Sequence, residues 1–298
     1  MSKLVECVPN FSEGRRPEVI EAIAEEIRKI PHVKLLDVKS DPSHNRVVMT
    51  FVGEPQSVKL AAFNSCKKAA ELIDMEKHHG EHPRIGATDV IPFIPVKNIS
   101  MEECVQLADE LAQDIAAKLD IPVYLYEEAA KIPARKALPH IRKGQFEGLK
   151  CEIDKPERCP DYGPARMHPT AGATVVGARQ FLIAYNINLD TSDVQIAKKI
   201  ANCIREAKGG YKYVRAMGVS VRMGDRDVAQ VTINMVDYQG TPLFRVFETV
   251  KSEAARYGVN VIGSEIVGLT PMQALLDVAE FYLRLDGFDR KMVLEDNL

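Results

Sequence analysis

The densest group of chemically capable side chains lies in residues 77–84, which read KHHGEHPR. Three of the seven histidines of the chain fall within five positions here, at His78, His79 and His82. An imidazole titrates near neutral pH, and a neighbouring carboxylate or guanidinium can hold it and tune its pKa. Such a cluster is typical of a group that carries protons during catalysis. We therefore take this segment as the first candidate for acid/base chemistry.

The same segment contains a metal-binding pattern. His78, Glu81 and His82 satisfy H-x-x-E-H, in which two histidines one helical turn apart bind zinc and the glutamate is the general base. That arrangement requires an unbroken helix, whereas Gly80 lies inside the spacing and Pro83 follows it directly. We therefore predict a loop that binds no metal. A solvated polar loop with incidental histidines is the alternative at this point.

A second candidate segment, residues 161–179, is rich in glycine and proline. Glycine lets a ligand approach the backbone closely, and exposed N–H groups bind an anion or the edge of a heterocycle. The glycine spacing fits neither G-x-G-x-x-G nor a phosphate-binding loop, so a nucleotide cofactor is not supported. From composition alone, an ordinary linker is the alternative interpretation.

Apolar periodicity predicts the elements that position these segments. The first half reads as strand, helix, two strands, helix, strand and helix, over 3–8, 17–30, 33–38, 45–53, 55–73, 89–96 and 100–119. The second half repeats that order over 181–188, 191–207, 214–221, 228–236, 242–257, 259–267 and 271–285. We predict an α/β (α+β) fold of two ferredoxin-like βαββαβ subdomains, with antiparallel or mixed sheets and helices packed on one face. The predicted domains are 1–178 and 179–298, with an irregular stretch over 134–179 that holds a short helix near 134–142.

Composition and charge limit the classes of partner. The chain has 298 residues, of which 46% are hydrophobic and 27% charged, which is typical of a globular protein of two domains. Its net charge of -3 provides no basic field for nucleic acid. The amino terminus lacks a signal-peptide pattern, and no stretch reaches the roughly 18 apolar residues of a membrane span. Six cysteines without a C-x-x-C pair are typical of free thiols, so we expect a cytoplasmic protein without a membrane partner.

Four unusual strings stand out along the chain: VECVPNFSEG from Val5, LIDMEKHHGEHPRIGATDVIPFIPV from Leu72, PVYLYEEAA from Pro122 and GATVVGARQFLIAYNINL from Gly172. Together they resemble the glutamate formimidoyltransferase family, the folate-dependent transferases of histidine breakdown. The resemblance extends to the last helix, through VIGSEIVGLTP from Val261. Some members carry a cyclodeaminase domain behind this one, and because the chain ends at Leu298 we expect a stand-alone transferase.

The resemblance implies transfer of a formimidoyl group between N-formimidoyl-L-glutamate and N5 of tetrahydrofolate, the co-substrate. It also implies a homodimer in which two α/β subdomains of each chain enclose a folate-binding tunnel. The acid/base histidine of the family, in the string G-E-H-P-R, falls on His82. The folate-contacting loop of the family falls on Gly163, Pro164, Ala165, Arg166, Met167, His168, Pro169, Thr170, Ala171 and Gly172.

The chemistry of this transfer suggests supporting residues. The reaction passes through a tetrahedral carbon, and its collapse takes a proton from the attacking amine and delivers one to the leaving amine, which one histidine can do in turn. A carboxylate would favour the developing positive charge, with Glu81, Asp37 and Asp41 as candidates, and Arg84 could bind a substrate carboxylate bidentately. A surface salt bridge is the competing interpretation for each. Fused relatives read Leu-Leu-Asp-x-Asp where this chain has Leu-Asp-Val-Lys at 36–39, so any role of that second carboxylate is not carried over.

Two alternative functions stay open. A glutamate formyltransferase would move a formyl group instead, and nothing in the sequence distinguishes O from NH at one carbon. A non-catalytic module that binds a small effector and regulates a partner also fits paired ferredoxin-like folds, since fold alone does not decide function. The cluster around His82 and the long glycine-rich loop argue against this second alternative.

Overall fold

The computed structural model describes residues 2–297, which divide into two compact units, one ending at Arg179 and the other beginning at Gln180. The strands of the first unit are β1 (Leu4–Cys7), β2 (Asn10–Phe11), β3 (Val33–Asp41), β4 (Arg46–Gly53), β5 (Thr88–Lys97), β6 (Val123–Glu127) and β7 (Thr174–Ala178). Its helices are α1 (Pro17–Arg28), α2 (Pro55–Leu72), α3 (Met101–Leu119), α4 (Leu138–Ile141) and α5 (Gln145–Lys150), and a 3-10 turn covers Pro133–Arg135.

Local sequence signals explain where the three long helices begin. Pro17 and Pro55 open α1 and α2, where the fixed φ of proline suits a helix and its missing N–H costs nothing. A capping box opens α3, since the hydroxyl of Ser100 accepts from the backbone of Glu103 and the Glu103 carboxylate accepts from the backbone of Ser100. Each helix therefore starts where the sequence predicts.

The sheet of the first unit contains a ferredoxin-like core and an extension. Strands β3, β4, β1 and β5 are antiparallel neighbours in that order, and β2 pairs with β4 and β5 beyond the end of β1. This is the strand order of the predicted βαββαβ unit. Strand β7 then pairs parallel with β5, and β6 pairs parallel with β7. The α3 helix is the crossover that makes this parallel extension possible.

The parallel strands are covered on both faces. On one face, Ile91 and Val176 belong to the same buried cluster as the apolar residues of α1, α2 and α3. On the other face, Val90 and Val175 belong to a cluster that includes Leu149 of α5. Helices therefore lie on both faces here, as parallel strands usually require, which differs from the one-face arrangement predicted for the ferredoxin-like core. The stretch 134–179, predicted to be largely irregular, supplies this second cover and also contains β7.

The second unit is a complete ferredoxin-like sandwich. Its elements are β8 (Ile183–Leu189), α6 (Val194–Ile204), β9 (Val214–Met223), β10 (Arg226–Met235), α7 (Leu243–Arg256), β11 (Val261–Val267) and α8 (Met272–Leu283), with 3-10 turns at Glu206–Lys208, Arg290–Met292 and Leu294–Asn297. The sheet is antiparallel in the order β11, β8, β10, β9, so the predicted fold class is confirmed. Within residues 2–297, no helix is both long enough and apolar enough to span a membrane.

Candidate active site around His82

His82 lies in the connection between α2 and β5, where residues 73–87 contain no helix. The predicted loop is therefore confirmed, and the histidines of the H-x-x-E-H pattern do not share a helical face. Gly80 is required here, since a Cβ at this position would lie 2.3 Å from the carbonyl oxygen of His44. Among residues 2–297, no group of three or more His, Cys, Asp or Glu side chains is arranged to hold a metal ion.

His78 and Arg84 give this loop its shape. The Nε2 of His78 donates to the carbonyl oxygen of Asn45 at 2.9 Å, and its Nδ1 accepts from Nε of Arg84 at 3.2 Å. Both ring nitrogens of this buried histidine are therefore engaged in its neutral form. Burial lowers the pKa of His78, which agrees with that assignment.

Arg84 is buried, and its five N–H donors all have partners. Besides Nδ1 of His78, they reach the His78 carbonyl oxygen, the side-chain oxygen of Gln145 and both carboxylate oxygens of Glu147, at 2.7–3.1 Å. The hydrogen bond from Arg84 lowers the pKa of Glu147. Arg84 thus ties the His82 loop to α5, and binding a substrate carboxylate would require it to release these partners.

The imidazole of His82 is in contact with a guanidinium. Its Nε2 lies 3.0 Å from Nη1 of Arg46, the first residue of β4. A guanidinium only donates, so Nε2 accepts and the proton of the neutral ring sits on Nδ1. Burial, followed by the positive charges of Arg46 and Arg142, lowers the pKa of His82 to about 3. At neutral pH this ring is therefore an uncharged base.

A network of polar side chains surrounds this contact. Nη1 of Arg46 also reaches the amide oxygen of Asn10 at 3.3 Å, and Arg142, directly after α4, forms a buried ion pair with Asp89. A register shift between β2 and β5 leaves Asp89 outside the ladder, and its carboxylate accepts from the backbone of Ile85 at 2.8 Å. The bulge therefore supports both Arg142 and the chain just after His82.

Among the carboxylates proposed from the sequence, Asp41 is the one that the structure connects to His82. Asp41 accepts from Nδ1 of His44 at 2.7 Å, and the His44 and His82 ring centroids are 6.5 Å apart. A backbone hydrogen bond from His44 lowers the pKa of Asp41. Asp37 lies further along β3, opposite Thr50, and Glu81 is exposed.

The predicted folate loop is joined by backbone hydrogen bonds to the chain that follows His82. The N–H of Ala87 donates to Ala171 at 2.8 Å, and the N–H of Ala173 donates to Ile85 at 3.0 Å. Gly172 has a φ of +74°, and a Cβ there would lie 2.5 Å from the Ile85 carbonyl oxygen, so this position needs glycine. The structure thus brings the two predicted segments together.

The ten residues of that loop differ in their exposure to solvent. Gly163, Ala165, Arg166, Pro169 and Thr170 are exposed, Pro164, Met167 and His168 are half-buried, and Ala171 and Gly172 are buried. Arg166 pairs with Asp120 at 2.5 Å, and Nδ1 of His168 accepts from the backbone of Ala171 at 3.0 Å. The exposed members are therefore those that a ligand can reach without rearrangement of the loop.

Three basic residues beside His82 were not predicted from the sequence: Arg46, Arg142 and His44. Arg46 could have been found from the β3–β4 hairpin. Its short, turn-rich connection restricts the strand register, and that register pairs Arg46 with Asp41, which was already a candidate. Arg142 carries no such signal, since it lies in a short helical stretch and reaches Asp89 across 53 positions of sequence.

Comparison with known proteins agrees with the division of the chain. Residues 4–179 match the formiminotransferase domain, N-terminal subdomain, and residues 184–297 match the formiminotransferase domain. A glutamate formimidoyltransferase of Streptococcus pyogenes serotype M1 is 53% identical, covering 100% of this chain and 99% of that protein. A second, from Thermoplasma acidophilum, is 50% identical over 98% of this chain and 96% of its own length.

A third relative is longer than this chain. The formimidoyltransferase-cyclodeaminase of Mus musculus is 49% identical over 95% of this chain, which corresponds to 53% of the mouse protein. The resemblance seen in the sequence is thereby confirmed across both units. The chain belongs to the formiminotransferase family and is a transferase.

Proposed function

We propose that this chain transfers a formimidoyl group between N-formimidoyl-L-glutamate and N5 of tetrahydrofolate, as a step of histidine degradation, with His82 as the acid/base group. The observation that carries the proposal is the neutral imidazole of His82, held beside Arg46 on a loop that is hydrogen-bonded to residues 171–173. Relatives named glutamate formimidoyltransferase, matched over nearly their whole length, support the same reaction.

His82 can serve both proton transfers once its Nε2 is released from Arg46. When N5 attacks the formimidoyl carbon, a C–N bond forms while the electrons of the C=N π bond move to its nitrogen, and N5 must lose a proton, which a neutral imidazole accepts. When the bond to the glutamate nitrogen breaks, that nitrogen must gain a proton. The positive charges of Arg46 and Arg142 make the imidazolium a strong acid, so it delivers the proton readily. One ring thus acts as base and then as acid.

Other parts of the proposal rest on the sequence. We place the folate co-substrate against the exposed residues of the loop 163–172, whose far end is held next to the His82 loop. The domains 1–178 and 179–298, pairing of two copies, a cytoplasmic location and the absence of nucleic-acid or membrane partners belong to the same proposal.

A turnover assay with two donors tests it. N-formimidoylglutamate and N-formylglutamate are compared side by side with tetrahydrofolate, and we expect faster turnover of the formimidoyl donor. Preference for N-formylglutamate would identify a formyltransferase. No turnover of either donor, together with no binding of tetrahydrofolate in a titration, would favour a regulatory module. EDTA should leave the rate unchanged, since the proposed proton transfers use the His82 imidazole alone.

The role of His82 is tested by substitution. His82→Ala should lower kcat by about 10²- to 10⁴-fold while folate binding persists, because general acid/base groups contribute on that scale. His79→Ala is the matched control, since His79 lies in the same loop and is exposed. A fully active His82→Ala enzyme would contradict the assignment.

A further inference from the structure

Two positive charges stand together beside His82. Burial, followed by the positive charge of Arg142, lowers the pKa of Arg46 against the smaller opposing effect of the Asp89 and Asp41 carboxylates, so the two guanidinium groups repel one another in a poorly solvated place. The Nε of each is buried without a hydrogen-bond partner among the described residues. A bound anion would relieve both the repulsion and the unsatisfied donors. This pair therefore has the character of an anion site that is part of the active site.

Arg46 is also hydrogen-bonded to Nε2 of His82, the ring nitrogen that must accept a proton during the transfer. Nη1 donates to Nε2 of His82 at 3.0 Å, and the remaining ring nitrogen carries the proton of the neutral ring. In this arrangement the basic lone pair of His82 is taken. An anion that draws Arg46 to itself would release that lone pair and weaken the charge that lowers the pKa of the ring.

The proposed donor places an anion at this distance. In N-formimidoyl-L-glutamate, the nitrogen that must be protonated and the α-carboxylate are bonded to the same carbon. A ring that reaches this nitrogen therefore has the α-carboxylate within a few ångströms, which is where the structure places the guanidinium of Arg46. Planar guanidinium groups bind carboxylates bidentately, so the chemistry of both partners matches.

We propose that Arg46, assisted by Arg142, binds the α-carboxylate of the glutamate donor and thereby frees Nε2 of His82 for proton transfer. This inference rests on the proposed function and adds the donor-binding residues to it. The other charged or titratable groups near the ring are His78, from its own loop, and His44, from the turn after β3. His44 is hydrogen-bonded to the Asp41 carboxylate, and Arg142 forms an ion pair with Asp89.

Substitution of Arg46 separates donor binding from folate binding. Arg46→Gln should raise the KM for N-formimidoylglutamate about 10- to 100-fold, the scale of a charge-assisted contact, and Arg46→Lys should restore part of it. The KM for tetrahydrofolate should change less than about twofold, since its binding loop is elsewhere. Arg28→Gln on α1, an exposed arginine, is the matched control. An unchanged donor KM in a folded Arg46→Gln enzyme would overturn the proposal.

Donor analogues identify which carboxylate is bound. The N-formimidoyl derivative of 4-aminobutyrate lacks the α-carboxylate, so we expect the wild type and Arg46→Gln to use it equally poorly. The derivative of 2-aminobutyrate lacks the side-chain carboxylate and should retain the full sensitivity to Arg46→Gln. The reverse pattern would assign Arg46 to the side-chain carboxylate and overturn the inference.

Two measurements separate this role from a purely structural one. Removing the positive charge should raise the pKa of His82 in Arg46→Gln. The acid limb of the pH profile of kcat/KM, which reports the free enzyme, should therefore move to higher pH. L-glutamate should also change the ¹⁵N shift of the His82 Nε2 in the wild type but not in Arg46→Gln. The NMR titration needs no turnover, so it tests this inference even if the wild type fails the donor assay. Absence of a glutamate-dependent shift in the wild type would refute it.

Discussion

Arg84→Lys provides a direct test of how the His82 loop is held. The wild-type guanidinium uses five N–H groups on His78, Gln145 and Glu147, which belong to two different segments. Lysine keeps the positive charge but has one nitrogen with three donors. It cannot reach partners on both sides, so at least one or two acceptors lose their hydrogen bond.

The expected loss of stability follows from these contacts. A buried acceptor left without a donor costs about 1–3 kcal/mol. The side chain of Glu147 is 63% exposed, so that ion pair adds less than about 1 kcal/mol. Arg84→Lys should therefore lower the free energy of unfolding by about 2–5 kcal/mol, which for a unit of this size lowers the unfolding midpoint by roughly 5–15 °C.

Thermal unfolding and steady-state kinetics together decide whether Arg84 holds the loop or binds the substrate. Glu147→Gln is the matched control, because it removes the charge of the exposed partner while a side-chain acceptor remains, and it should shift the midpoint by only a few degrees. At a temperature where Arg84→Lys is folded, its KM for the glutamate donor should stay within a few-fold of wild type. A wild-type midpoint with a donor KM raised more than about tenfold would refute this reasoning and make Arg84 a substrate-binding residue.

Two further predictions concern the folate loop and a half-buried acid, Glu6. Ala165→Phe should raise the folate Kd and leave the thermal unfolding midpoint unchanged, since Ala165 is exposed. Gly172→Ala should lower the midpoint, because its Cβ would meet the Ile85 carbonyl oxygen. A lowered midpoint in Ala165→Phe and an unchanged one in Gly172→Ala would contradict the loop geometry. Burial, opposed by Arg179, raises the pKa of Glu6 from 4.5 to about 7, so the folded state binds its proton more tightly and loses stability as pH rises through that window. Glu6→Gln should therefore be more stable than wild type by about 2–3 kcal/mol at pH 8 and by little at pH 4, and a pH-independent difference in urea unfolding would contradict this.

The sequence by itself determines features whose causes are local. Pro17 and Pro55 mark helix starts, and Ser100 with Glu103 forms its capping box within one turn. The loop at 77–84 is predictable for the same reason, because Gly80 disfavours a helix wherever it occurs. Alternating apolar residues likewise predict most strands and the ferredoxin-like order of each unit. Each of these signals depends on residues a few positions apart.

The partners of His82 in the candidate active site depend on the tertiary structure. Arg46 lies 36 positions away from His82, and Glu147 lies 63 positions from Arg84. In the sequence these arginines look like ordinary surface charges, since nothing local tells a solvated guanidinium from one that is half-buried against an imidazole. Strand register and the second cover over the parallel strands decide which charges meet in a poorly solvated place. Those long-range contacts turn a histidine in a polar loop into an uncharged base beside an anion site.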